Sequence, residues 1–176
     1  MIQQALERIA TQALSLTANG YFTTDLSEQS PCVNDNGQWR PIPQSTPVDF
    51  RSLSNALETE IHPDICSFYD SFWSGNLETS SQEGLVNLIQ LWDQDDFDRL
   101  VENLIGHALM KRKHKRPLTI FFATTEPDSE LFLSVDNETG EVLLEEPEKS
   151  PVRIVDNDLN TFLNRLTPVL TPPDIY

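Results

Sequence analysis

Asp93, Asp95, Asp96 and Asp98 crowd four carboxylates into six residues, His107 follows nine positions later, and Lys111 to Arg116 then supplies five bases in six residues. Carboxylates at this density are raw material for a cation site or for metal-assisted hydrolysis. A histidine is a ligand or proton carrier, and a basic run seeks phosphate or carboxylate. Spacing decides among these. A calcium loop counted from Asp93 needs oxygen ligands at positions 1, 3 and 5, Gly at 6 and Glu at 12. Those positions hold Asp93, Asp95, Phe97, Asp98 and Leu104, so the pattern fails at its turn and at its closing ligand. No second His stands four residues from His107 with a Glu between, so the helical zinc-hydrolase pattern is absent and His107 reads as a packed or hydrogen-bonded helix residue.

His62 and Cys66 are the one nucleophile and base pair close in sequence, but Pro63 interrupts the helix that would align them, and Cys is usually a small buried hydrophobe. The sequence contains no GxSxG, GxxxxGK[ST] or GxGxxG, and six glycines leave little for a phosphate cradle. No catalytic residue, cofactor or metal ligand is therefore assigned. A metal-assisted hydrolase built on Asp93 to Asp98 stays as the enzymatic alternative.

The element carrying these residues explains their order. Phe97, Leu100, Val101, Leu104, Ile105 and Ala108 fall at i, i+3, i+4, i+7, i+8 and i+11, one helical stripe over Asp93 to Met110. Each fully buried large side chain contributes about 1.5 to 3 kcal/mol, more than any end effect. Asp93 suits the N-cap, Asp96 the third helical position, and Lys111 to Arg116 opposes the negative end of the dipole at about 0.3 to 1 kcal/mol per exposed contact.

Around it the periodicity predicts a helix over 2–16 with Ile2, Ala5, Leu6, Ile9, Ala13 and Leu16 buried, ended by Gly20. Residues 27–47, with Pro31, Pro41, Pro43 and Pro47, read as an ordered loop anchored by Trp39. From Asp49 a second helix carries Phe50, Leu53, Leu57 and Ile61, and Pro63 starts a short helix bearing Ile65, Phe68, Tyr69 and Phe72. LVNLIQL from Leu85 to Leu91 reads as a buried strand. LTIFFAT, LFLSVD and EVLLEE read as adjacent strands, the first central and covered on both faces, the other two nearer an edge and joined by a turn at Asn137 to Gly140. A closing helix over Asp158 to Leu166 buries Leu159, Phe162, Leu163 and Leu166 before Pro168. The order predicts an α+β fold, helices packed around a mainly antiparallel sheet.

The chain has 176 residues, a length suited to one domain with a real core, so neither disulfides nor a structural metal is needed for stability. Asp and Glu number 28 against 12 Lys and Arg, a formal charge of −16; without the block at Lys111 to Arg116, 28 against 7 gives −21. Such a field disfavours nucleic acid and anionic lipid and favours basic protein partners over a range of about 8 to 10 Å. Two cysteines, Cys32 and Cys66, and no signal-like start or long apolar run, fit a reduced cytosolic setting.

Leu91 to His107, LWDQDDFDRLVENLIGH, resembles the Syd family of bacterial SecY-interacting proteins. Trp92, Asp95-Asp96, Phe97 and the run Glu102 to His107 carry the likeness. Pro31-Cys32, Trp39 with Pro41 and Pro43, Ile65 with Phe68-Tyr69, IFFAT, Ser134-Val135, Thr139 to Val142, and Phe162-Leu163 with Leu166 extend it in order. The chain departs from the pattern in an acidic tract at Glu145, Glu146 and Glu148 and in an extension past Leu170. The resemblance implies one Syd-like domain over 1–176, related to the SUKH group of α+β folds, non-enzymatic and without cofactor. It implies loose attachment to the cytoplasmic side of the inner membrane through SecY, the channel subunit of the export translocon. An acidic concave surface would meet basic cytoplasmic loops of free or improperly complexed SecY and restrain the translocase. The residues expected to make that contact are Asp93, Asp95, Asp96 and Glu102, with Trp39 and Trp92 as anchors. The SUKH likeness also implies an alternative, an immunity protein that neutralises a basic toxin.

Overall fold

The computed structural model describes residues 1–25 and 27–170, so the extension past Leu170 lies outside the described residues. Helix α1, Ile2–Ser15, buries Ile2, Ala5, Leu6, Ile9 and Ala13 as its spacing requires, but it stops well before Gly20, and Leu16 is its exposed C-cap. The proline-rich stretch then makes only two-residue ladders: β1, Phe22–Thr23, pairs with β2, Gln38–Trp39, and β3, Ile42–Pro43, pairs with a later strand. Buried Gln44 ties this stretch down, its Nε2 donating to the Tyr69 and Phe72 carbonyls (2.9 and 3.0 Å) and its Oε1 accepting from the Val48 N–H (3.0 Å).

Helix α2, Arg51–Leu57, ends earlier than the periodicity predicts because Glu58 takes a left-handed φ of 55°; Phe50 and Ile61 are buried just outside it. Helix α3, Pro63–Asp70, starts on its proline and buries Ile65, Phe68 and Tyr69. Phe72 is not helical: it belongs to β4, Phe72–Trp73, the partner of β3.

Strands β5, Leu77–Ser81, and β6, Gly84–Leu88, form a hairpin before α4, Gln94–Lys113. Then follow β7, Thr119–Thr124, β8, Phe132–Asp136, β9, Val142–Glu145, β10, Arg153–Asp156, helix α5, Leu159–Asn164, and β11, Thr167–Pro168. Seven strands make one antiparallel sheet in the order β10-β9-β8-β7-β6-β5-β11. The fold is α+β, and β7 holds the middle of the sheet. Phe122 meets Phe68 of α3 and Phe162 of α5 (ring centroids 5.6 and 5.9 Å), whereas Phe121 meets His107 of α4 (5.5 Å). Helices thus cover both faces of the central strand, the reason its two sides are apolar.

The β8–β9 turn is built by Asp136, whose Oδ1 accepts from the Glu138 and Thr139 N–H groups (2.9 and 3.0 Å), and by Gly140 at φ 79°. A Cβ on Gly140 would stand 2.7 Å from His62 Nε2, so glycine is required there twice over. Helix α5 is capped by Asp158 and is shorter than predicted; Leu166 is buried beyond its end, and Pro168 goes on to pair with β5.

Candidate partner-binding face

The amino end of α4 is fixed by a reciprocal pair of carboxylates. Asp93 is the N-cap, its Oδ1 accepting from the Asp96 N–H (2.9 Å), and Asp96 Oδ2 accepts from the Trp92 N–H (2.9 Å). One of the orphan donors that begin any helix, the Asp96 N–H, is satisfied in this way, and the N–H of the residue before the cap is tied down with it. The other Asp96 oxygen pairs with Arg99. Asp93 and Asp96 are half-buried and engaged in holding the helix start, whereas Asp95 and Glu102 are exposed and carry no hydrogen bond or ion pair among the described residues. Seven residues separate them, nearly two turns, so they share one outward face, with Glu102 about 13 Å along the axis from Asp93.

The two tryptophans join this end from behind. Trp39 stacks on Phe22 (4.5 Å between centroids, planes 30° apart) and meets Trp92 edge-on (5.5 Å, 86°). Gly75 lies under the Trp39 indole so closely that a Cβ there would come within 2.7 Å of the ring. Both tryptophans are half-buried, and Trp92 Nε1 is buried without a hydrogen-bond partner among the described residues. Ser30 Oγ donates to the Trp92 carbonyl (2.6 Å), joining the loop to α4. The structure therefore brings Trp39, Trp92, Asp93, Asp95 and Asp96 into one patch and sets Glu102 further along the same helix.

At the other end the chain departs from the sequence reading. Lys111 is not an exposed counter-charge to the dipole, and Glu145 is not part of a surface acidic tract. Their side chains are 8% and 0% exposed and form an ion pair in the core. Thr119 Oγ1 donates to Glu145 Oε2 (2.7 Å), Ser134 Oγ donates to the same oxygen, and His107 Nε2 lies 2.9 Å from Thr119 Oγ1. Because the threonine hydrogen goes to the carboxylate, His107 supplies an Nε2 hydrogen to that hydroxyl. Burial pushes the His107 pKa down; Glu145 opposes that shift and Lys111 adds to it. A sequence signal existed: LTIFFAT, LFLSVD and EVLLEE each carry a polar residue at a core-facing position, Thr119, Ser134 and Glu145.

His62 and Cys66 do not form a catalytic pair. His62 is the N-cap of α3, its Nδ1 accepting from the Asp64 N–H (3.1 Å), and burial, reinforced by Asp70, pushes the Cys66 thiol up to about 11. Among the described residues no three His, Cys, Asp or Glu side chains converge as a metal-binding group, and no helix is long and apolar enough to cross a membrane.

The family model of the Syd protein (SUKH-2) matches residues 4–168. The chain belongs to the Syd family. It is 39% identical over 150 residues to Protein Syd of Pseudoalteromonas atlantica, covering 85% of this chain and 78% of that one. It is 42% identical over 149 residues to Protein Syd of Hahella chejuensis, covering 81% and 77%, and 36% identical over 146 residues to that of Alteromonas mediterranea, covering 80% of each. The Syd pattern at Leu91 to His107 thus runs from Leu91, bridged to Trp73, over the carboxylate cap and along α4 from Gln94 to His107 and its link to the buried network.

Proposed function

We propose that this chain is a binding protein that docks through the acidic outward stripe of α4 onto basic cytoplasmic loops of SecY. It takes SecY that is free or improperly complexed, restrains faulty or excess translocase, and is held loosely at the cytoplasmic side of the inner membrane through that partner. The observation that carries this reading is the division of labour among the acids. Asp93 and Asp96 each spend one oxygen at the helix start, which leaves Asp95, beside the Trp39–Trp92 cluster, and Glu102, further along, exposed on a capped helix. Fixed carboxylates on a preorganised element attract Lys and Arg at low conformational cost, and cytoplasmic loops of membrane proteins are rich in both. Membership of the Syd family supports the choice of SecY among basic partners.

The test is co-purification with SecY alone and with the assembled channel, at salt from about 50 to about 300 mM. Retention on SecY alone should exceed that on the assembled channel and fall with salt. Equal retention at both salts would remove the electrostatic docking. Tight stoichiometric capture of a basic nuclease toxin with no retention on SecY would transfer the acidic stripe to the immunity reading.

A further inference from the structure

The outward face of α4 changes character along its length. Asp95, Arg99 and Glu102 occupy it first; Gly106, Leu109, Met110 and Lys113 follow, all exposed. Leu109 is 54% and Met110 40% exposed, two large apolar side chains side by side on a helix surface beside a run of bases. Of the five bases in that run, Lys111 is spent on Glu145, and four remain at the surface or half-buried: Arg112, Lys113, Lys115 and Arg116. Arg112 leans on the Leu57 carbonyl (3.4 Å). The acids nearby lie in the flanking hollows: Glu60 and Glu138 line one of about 530 Å³ with Arg112 and Arg116, and Glu146 and Glu148 line one of about 220 Å³ with Met110 and His114. Glu146 is already paired with Lys149 (2.8 Å).

The net charge of −16 does not govern this end. Asp95 and Lys113 are eighteen residues apart on one helix, about 27 Å, more than three screening lengths at physiological salt. Four bases clustered on a helix end with apolar residues among them are the combination that holds a helix against an anionic interface: the charges meet headgroups and the apolar tips enter the acyl boundary. A nucleic acid would have no use for Leu109 and Met110, and the acidic remainder of the chain gives it no further track.

We propose that the carboxyl end of α4, presenting Leu109, Met110, Lys113 and Lys115 with Arg112 and Arg116, is a docking surface for an anionic lipid bilayer. This contact is separate from the SecY contact proposed above and is tested without SecY. Lys115 offers a variant that misfolding cannot explain. The helix ends in a Schellman turn, with the Arg116 N–H donating to the Lys111 carbonyl (2.8 Å) and the Lys115 N–H to that of Arg112 (3.0 Å), and Lys115 occupies the left-handed position at φ 56°. Glycine suits that position better, so Lys115→Gly removes a charge while relieving the backbone.

The experiment is co-sedimentation of the full chain with vesicles of phosphatidylcholine alone and with about a third phosphatidylglycerol. The chain should sediment with the anionic vesicles only and be released by salt. Lys113→Gln and Lys115→Gly should each weaken partitioning about fivefold, the latter with a raised melting temperature. Leu109→Ser with Met110→Ser should weaken it at unchanged charge. Asp95→Lys should leave it intact or strengthen it, which separates this surface from the SecY face. Equal sedimentation with both vesicle types, none with either, or binding unmoved by the Lys113 and Lys115 variants would overturn the proposal. So would an RNA duplex bound as tightly as the anionic vesicles.

Discussion

The two ends of α4 solve the same electrostatic problem in opposite ways. At the amino end Asp93 and Asp96 satisfy the helix with partners no more than four residues away, and everything needed is written in one short stretch. At the carboxyl end Lys111 crosses to Glu145, thirty-four residues on, inside the core. A local device is legible from spacing; a tertiary one is not, because the same lysine serves a dipole argument equally well. The energetic stakes differ as well. A half-buried cap contributes about 1 kcal/mol, whereas an uncompensated buried charge costs several times that.

That contrast is sharpest when one member is removed. Lys111→Met should destabilise by about 3 to 5 kcal/mol, because Glu145 would be left charged with only the Thr119 and Ser134 hydroxyls. Lys111→Met combined with Glu145→Leu should recover part of this loss, though not all, since the two hydroxyls and His107 then lose their acceptor chain. Urea unfolding of the three proteins measures it; a single variant within about 1 kcal/mol of the parent would show the pair to be unimportant. At the amino end Asp93→Ala should cost about 1 kcal/mol by the same measurement, and Asp95→Ala less than about 0.5. Equal losses at the two positions would break the division between holding and presenting acids.

The smallest effect is a pH dependence at the join between helix and sheet. His107 has a folded pKa below its ordinary value because it is buried, so the folded state prefers the neutral ring. Its contribution to stability is full above the unfolded value near 6.5 and is lost as pH falls through that value toward the folded one. The difference in unfolding free energy between the parent and His107→Gln should therefore be flat above about pH 7 and shrink toward pH 5. A difference that does not change with pH would remove His107 from the linkage.

Much of the frame was legible because burial imposes periodicity. The stripes of α1 and α4, the two-sided apolar run of β7 and the Asp136 to Gly140 turn all carry their cause in sequence. Strand β5 was not foreseen: in LETSS only Leu77 and Thr79 are buried, and Thr79 Oγ1 donates to the Val86 carbonyl (2.7 Å) instead of offering an apolar signal. Ile61 and Phe72 misled the helix boundaries because they are core residues reached by turns and a short ladder, and a pattern of burial cannot say which backbone delivers it. At the candidate site the residue types were readable and their roles were not. Asp93, Asp95 and Asp96 look alike in sequence, and hydrogen bonding alone sorts two of them into the cap and leaves Asp95 facing outward.

The most direct measurement is retention on SecY of the double variant Asp95→Lys with Glu102→Lys, beside the parent and Asp93→Ala, each first shown to be folded by its melting temperature. Docking through the outward stripe predicts that the double reversal keeps its fold and loses retention by about tenfold or more, while Asp93→Ala loses stability and keeps retention while folded. Undiminished retention of the folded double reversal would contradict the proposed face.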